Sequence, residues 1–507
     1  MPPTLEGKPT SYWVDSAPDA AYPALDAERH VDVAVLGGGI AGISAAVLLK
    51  QQGATVAVIE AGTVCGGATG YTTAKVSSLH QQRYAQIESS FGEEGARVYG
   101  QSNEAAIEQM EQWIEAFGID CDWRRKPNYT YTRDKSQVES LEREVQAAER
   151  AGLPAAFTDE SDLPYDIAGA VRFDNQAEFH PRRYVLALAA TIPGDGSHVF
   201  QHTRATGVSA GDTVRVETTR GTVAAKDVIV ATHFPFLDRG VYFARMHPER
   251  SYAIGLYAKG AIPQGMYISV DSPTRSIRAT PTERGEMLIV GGEGHKVGQG
   301  GDTRERYDAL VRWARETFDV DSIAYRWSAQ DNMPVDGMPF IGPVAPLQRG
   351  VWVATGFQKW GMTAGTVSGM ILADLIAGRE NPWAETYNST RFKPLASAEE
   401  FVKENLNVGK RFVADHLRAP DADSVDHLEP GEGAITSAGG HGKLAAYRDE
   451  SGKLFTVSSV CTHLGCQVEW NTAEKSWDCP CHGSRFDHTG AVLEGPAVKD
   501  LAPKDVG

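Results

Sequence analysis

The sequence has no apolar run approaching the roughly 20 residues that a transmembrane helix needs. Met1 to Asp15 shows no basic stretch, no apolar core and no twin arginine of an export signal. These absences lead us to expect a cytoplasmic location and no membrane span. Basic residues are in deficit, 49 Lys and Arg against 66 Asp and Glu, for a net charge of −17. That excludes a nucleic-acid binder, which needs a basic face; the acidic excess favours solubility. No internal repeat is present. Cysteine is scarce, six in 507 residues, and four of the six crowd between positions 461 and 481.

What is there begins with those four. Cys461-Thr462-His463-Leu464-Gly465-Cys466 is followed by Cys479-Pro480-Cys481-His482-Gly483-Ser484. A zinc ribbon wants two matched Cys-x2-Cys pairs, which this spacing lacks. Structural disulfides alone leave the histidine of each box without a reason. Two Cys-plus-His boxes suit a two-iron cluster held asymmetrically, thiolates on one iron and imidazoles on the other, an arrangement that raises the reduction potential. The pair of boxes resembles the Rieske iron–sulfur domain. That resemblance implies Cys461, His463, Cys479 and His482 as ligands and a disulfide between Cys466 and Cys481. It also implies a hydroxyl hydrogen bond from Ser484, whereas Phe486 stands where quinol-oxidising members have a tyrosine. One donor to the cluster sulfurs is therefore missing, and a lower potential is expected.

The second signal lies near the start. Val31 to Leu36 reads as a short buried strand, followed by Gly37-Gly38-Gly39-Ile40-Ala41-Gly42, a helix from Ile43 to Gln51, and a strand from Thr55 to Ile59 ending at Glu60. Gly37, Gly39 and Gly42 form a dinucleotide fingerprint in its required strand–turn–helix context. The helix N-terminus suits a pyrophosphate, and Glu60 and Ala61 sit where a ribose is met. Gly66-Gly67-Ala68-Thr69-Gly70, the strand Val228 to His233, and Asp336 to Gly342 leading into Val351 to Phe357 extend the pattern. Together they resemble the FAD-dependent oxidoreductases related to D-amino-acid oxidase and glycine oxidase. The resemblance implies FAD contacts from Gly67, Thr69, Gly70, Thr72, Thr73, Ala231, Thr232, Gly356, Phe357, Gly361, Met362 and Thr363, with Tyr71 and Lys75 nearby.

The expected fold is an α/β (α+β) FAD-binding Rossmann-like domain with an interleaved substrate domain carrying an antiparallel sheet, plus a small all-β Rieske domain. Residues 1–30 read as an arm and 31–390 as the oxidoreductase. Within it, FAD-binding segments are expected at about 31–80, 170–235 and 330–390, and substrate-side segments at about 81–169 and 236–329. A linker is expected at 391–424 and the Rieske unit at 425–507. From Ala85 to Ala151 the pattern is helical, with Ile107, Met110, Trp113 and Ile114 as core positions. His180-Pro181 opens another helix, and an apolar helix is expected from Ser368 to Ala377. The 42% of hydrophobic residues suffices for cores of this number.

Candidate catalytic residues are Lys359, beside the ring; His80 and His233, as acid–base groups or hydrogen-bonded structural histidines; and Arg326, whose fork suits a carboxylate or a structural ion pair, with Trp327 and Gln330 beside it. Cys65 and Cys121 read as free thiols. The expected chemistry is oxidation of an amine or amino acid by hydride transfer to FAD, with electrons passed singly to a [2Fe-2S] Rieske cluster and on to an external one-electron carrier. Two alternatives stand: an electron-transfer reductase serving a partner protein, which lacks a second dinucleotide fingerprint, and a redox sensor. The direction of electron flow is open.

Overall fold

A computed structural model describes residues 5–209, 211, 213–391, 402–408, 419–437 and 443–505. The Val- and Ile-rich strands Arg29–Leu36 and Val56–Ile59 lie side by side and parallel, with Val33 opposite Val56. On its other side Arg29–Leu36 pairs in parallel with Thr222–Val230, which in turn pairs with Val351–Thr355. His198–Phe200 closes one edge and Phe340–Pro343 the other. Strands apolar on both faces belong in the middle of such a sheet, and helices Ile40–Gln51 and Gly361–Ile376 cover one of those faces. These two helices meet closely at Gly369, where a Cβ would stand 2.8 Å from the Ala45 nitrogen.

The second, largely antiparallel sheet runs Asp319–Pro334, Met246–Lys259, Gly285–Lys296, Arg275–Thr282, Met266–Ser269, Arg124–Thr132, Gly169–Glu178 and Lys75–Val76. Three sequence expectations change here. Strand Gly169–Glu178, expected among the FAD segments, belongs to this sheet. The helical region is not continuous: Arg83–Phe117, itself broken at Gly92 (φ 75°), and Val138–Arg150 are separated by strand Arg124–Thr132. Its Tyr129, Thr130 and Tyr131 are β-formers buried by sheet neighbours distant in sequence. The last FAD-side helix starts at Gly361, earlier than the apolar run suggests, with Met362, Thr363 and Ala364 of its first turn buried.

The N-terminal arm is partly core. Trp13, on the short helix Tyr12–Ser16, is fully buried and donates its indole N–H to the Thr72 carbonyl at 2.7 Å. Of the expected linker, 392–401 and 409–418 lie outside the described residues; 402–408 is a helix, tied down by Lys296 Nζ on both Glu404 oxygens at 2.6 Å. The C-terminal unit is all β, a three-stranded sheet from Gly433–Ser437 to Leu454–Ser458 and a four-stranded one from Glu469–Asn471 to Val492–Glu494. Among the described residues no helix is long and apolar enough to cross a membrane.

Candidate active site and iron–sulfur centre

The fingerprint folds as its glycines dictate. Gly37 sits at φ 111°, a left-handed conformation that costs other residues dearly, and a Cβ there would strike the Ala231 carbonyl. A Cβ at Gly42 would strike the Gly37 carbonyl, so strand and helix touch through it. The helix start Gly39, Ile40 and Ala41 lines a cavity of 1320 Å³ together with Glu60, Ala61 and Thr69. First-turn amides have no acceptor within their helix; that of Ile40 goes to Thr69 Oγ1 at 3.1 Å. Glu60 accepts from the amides of Gly38 and Gly62, both at 2.7 Å. Burial raises its pKa against the pull of those amides and of Arg204. A bare-glycine cradle, a helix N-terminus and an acid at the end of the second strand fit the adenosine and pyrophosphate of FAD.

Gly67, Thr72, Thr73, Ala231 and Thr232 line the same cavity, as do Phe357, Gly361 and Met362. Gly42, Gly70, Gly356 and Thr363 do not line it, and their part is to shape the walls. A Cβ at Gly70 would strike the Cys65 carbonyl, and Gly356, at φ 77°, has Pro334 Cγ 2.6 Å from its Cβ position. Thr363 donates to the Ser77 carbonyl at 3.2 Å.

The four catalytic candidates separate. Lys359 lines the cavity at φ 73° and pairs with Glu249 at 2.9 Å. Glu249 is held well below the usual carboxylate range by its hydrogen bond with His247, against burial, and then by Lys359. His233 also lines the cavity, but its Nδ1 is bound to Glu494 of the C-terminal unit at 2.8 Å. His80 is withdrawn: it is fully buried outside the cavity lining, bonded to the Tyr99 hydroxyl and the Ser77 carbonyl at 2.5 Å each and stacked 4.4 Å from Trp360. Burial pushes its pKa down to about 3, so it stays neutral. Arg326 also lines the cavity, but its Nη1 donates to the carbonyls of Leu5, Glu6 and Gly7 and so fastens the arm. Trp327 donates to the Tyr71 carbonyl at 2.9 Å. Cys65 and Cys121 are buried free thiols, each pushed up to about 12 by burial, too high for a nucleophile.

The two Cys-plus-His boxes fold alike. In the first, the Gly465 amide donates to the Cys461 carbonyl at 3.0 Å and the Cys461 amide to that of Cys466 at 2.8 Å. In the second, Gly483 donates to Cys479 at 3.0 Å and Cys479 to Ser484 at 2.8 Å. Cys466 and Cys481 are joined, S–S 2.06 Å. The Sγ atoms of Cys466, Cys479 and Cys481 lie within 4.8 Å of one another, but two of them share that bond, which leaves Cys461 and Cys479 as buried free thiols. Beside them the His463 and His482 rings stand 5.1 Å apart, and both Nδ1 atoms are buried without a hydrogen-bond partner. Two buried thiols and two buried, partnerless ring nitrogens fit a [2Fe-2S] cluster. The Asp238 carboxylate, 3.3 Å from His463 Nε2, favours the tautomer with its proton on Nε2 and the lone pair on Nδ1.

Several residues at the site gave no local sign in the sequence. Asp238 and Phe243 cover the imidazoles, and Arg250 and Asp331 line the cavity. Asp331 has its pKa raised by burial. Glu474, Arg485 and Glu494 reach the cavity from the C-terminal unit. None has a motif; only docking of segments far apart in sequence brings them together.

A dinucleotide cradle and, in the same chain, a two-Cys, two-His site that fits iron define a flavoprotein oxidoreductase with an iron–sulfur domain. Residues 32–375 match the FAD dependent oxidoreductase family DAO and residues 420–503 the Rieske [2Fe-2S] domain. YhfW of Bacillus subtilis, which bears the name Rieske 2Fe-2S iron-sulfur protein, is 37% identical over 98% of both chains. Gamma-glutamylputrescine oxidoreductase of Escherichia coli is 26% identical over 73% of this chain and 89% of its own. The crystal structure of glycine oxidase from Geobacillus kaustophilus superimposes with a TM-score of 0.61 at 21% identity, covering 72% of this chain and 99% of that one. The chain belongs to the DAO family of FAD-dependent oxidoreductases, with a C-terminal Rieske domain, and its cofactors are FAD and a [2Fe-2S] cluster.

Proposed function

We propose that the protein oxidises the C–N bond of an amine or amino acid and passes the electrons one at a time to its Rieske cluster. The observation that carries this reading is the cavity itself: one space is lined both by the dinucleotide cradle and by Glu474, Arg485 and Glu494 of the iron–sulfur unit. The names of relatives, gamma-glutamylputrescine oxidoreductase and glycine oxidase, support the substrate class. When bound, FAD supplies the hydride acceptor.

The chain supplies position and a proton acceptor. Lys75 is buried in the cavity wall and hydrogen-bonds Ser276 Oγ. Burial, with help from Arg278 and against Glu178, brings its pKa down to about 7. The neutral amine accepts the proton of a substrate ammonium, freeing the nitrogen lone pair that must assist hydride departure from the adjacent carbon. Lys359 is set in the wall by Glu249. An external one-electron carrier would empty the cluster.

The test is anaerobic addition of amines, amino acids and N-methylated compounds, following flavin absorbance and the cluster's paramagnetic resonance together. Bleaching with growth of the reduced-cluster signal is expected for at least one compound class. A silent panel, with prompt reduction by a nicotinamide or a ferredoxin, would replace this reading with that of an electron-transfer reductase.

A further inference from the structure

The histidine edge of the cluster site is covered by the chain's own flavin domain. His463 Nε2 meets Asp238, and the His482 ring lies edge-on to Phe243, with centroids 5.8 Å apart. Beside them, one direct contact links the second box to the cavity wall. Gln330, 3% exposed, donates from Nε2 to the Gly483 carbonyl at 2.9 Å. Gly483 follows the ligand His482, and its own amide returns to Cys479. The backbone at Gly483 is bare where the Gln330 amide packs on it, since a Cβ there would strike Nε2.

Gln330 is itself held from behind. Its Oε1 accepts from Arg250 Nη2 at 3.2 Å, and Arg250 Nη1 donates to Ser328 Oγ at 2.6 Å. Arg250 Nε, buried without a hydrogen bond, lies 3.8 Å from Asp478, the residue before Cys479. Both Gln330 and Arg250 line the cavity that holds the dinucleotide cradle. A buried guanidinium needs acceptors and a countercharge; Ser328, Gln330 and Asp478 supply them, and through Arg250 the Gln330 amide is set against Gly483.

We propose that Gln330 is the positioning residue that couples the cluster to the flavin cavity, its amide forming the crossing point for single electrons between the two domains. The inference rests on the proposed reading that flavin and cluster exchange electrons within one chain. In each step one electron leaves the reduced flavin and one ferric ion becomes ferrous, while any proton the flavin gives up goes to solvent. The second electron follows once a one-electron acceptor of the ferredoxin class has reoxidised the cluster.

The experiment is laser-flash reduction of the flavin in the full holoprotein, with 5-deazaflavin and EDTA as photochemical donor, timing electron arrival at the cluster by absorbance. Cluster potential and paramagnetic resonance spectrum are measured on the same samples. Gln330→Met should slow the transfer about ten-fold or more, the scale on which lost positioning is felt, with potential and spectrum unchanged. Gln330→Asn, one methylene too short to span the contact, should do the same and serves if the methionine variant does not fold. Thr303→Val is the control: its hydroxyl joins the domains elsewhere, through Asn471 at 2.8 Å, and its loss should leave the rate near wild type. Equal rates in wild type and both Gln330 variants would overturn the crossing point. So would equal slowing by Thr303→Val, or a potential shift large enough to account for the change. A wild-type protein with no transfer at all would overturn the proposed function as well.

Discussion

Phe486 is fully buried in the Rieske core beside the cluster thiols. The Ser484 hydroxyl, also buried, accepts from the Ala497 amide at 3.0 Å and so has its proton left to donate toward sulfur. A donor to the sulfurs stabilises the reduced, more negative cluster. Phe486→Tyr should therefore raise the potential by about 40 mV, the one-electron equivalent of a ~1 kcal/mol hydrogen bond, as read by redox titration. Lys75 offers a second test at this scale. With its pKa brought down to about 7 by burial, the group is cationic below that value and neutral above it. The flavin spectrum should shift as pH crosses 7, the reductive rate should rise on the alkaline side, and both effects should vanish in Lys75→Met. A pH-independent spectrum would remove Lys75 from the flavin's surroundings. Sequence reading found Lys75 by its place after the glycine motif, but its burial between two strands distant in sequence was beyond local inference.

At the scale of elements, the arm helix Tyr12–Ser16 and the segment it covers act as one piece. Ser11 donates to the Gly70 carbonyl, Trp13 to that of Thr72, and Arg278 lies over the Trp13 ring at 5.4 Å. Arg278 also reaches the carbonyls of Thr73 and Ala74, so the cofactor-facing segment is clamped from both sides. Trp13→Ala leaves a cavity and a lone carbonyl, and should destabilise the fold by ~3 kcal/mol or more while loosening FAD. A lowered urea midpoint together with flavin release on dilution is the expected result. Composition marked this stretch as an arm on the surface because it is rich in proline and alanine. Its single tryptophan is nevertheless core, since a large ring is buried wherever the body offers a slot.

For the whole molecule, docking of the Rieske unit is the main event, and one of its contacts titrates. His233 on the flavin side pairs with Glu494 on the Rieske side, with Arg485, Arg250 and Asp331 also facing the pair. Burial opposes protonation of His233, but Glu494 outweighs it and lifts the pKa above the usual 6.5. Glu494 falls below its usual 4.5: burial would raise it, but His233 and Arg485 prevail. The contact contributes fully between those limits. It is lost as pH rises through the raised value of His233, and again as pH falls through the lowered value of Glu494. The protection of Val492 to Gly495 against hydrogen exchange, taken relative to the intrinsic rate at each pH, should therefore fall on the alkaline side in wild type. In Glu494→Gln that protection should be low throughout, and an unchanged pH profile of protection in that variant would assign the dependence to another group.

The dinucleotide fingerprint and the two Cys-plus-His boxes are legible in the residues alone, because each is local. A fingerprint is a strand, a turn and a helix start, and its glycines are demanded by φ at Gly37 and by close approach at Gly42. Each Rieske box is a turn closed on itself by two backbone hydrogen bonds. What surrounds them depends on how distant segments pack. That packing turned Arg326 toward the arm, sealed His80 beneath Trp360, placed strand Arg124–Thr132 between two helices, and set Gln330 against Gly483. Those outcomes depend on packing between segments hundreds of residues apart, where the free energy lies in shared burial and not in the local pattern.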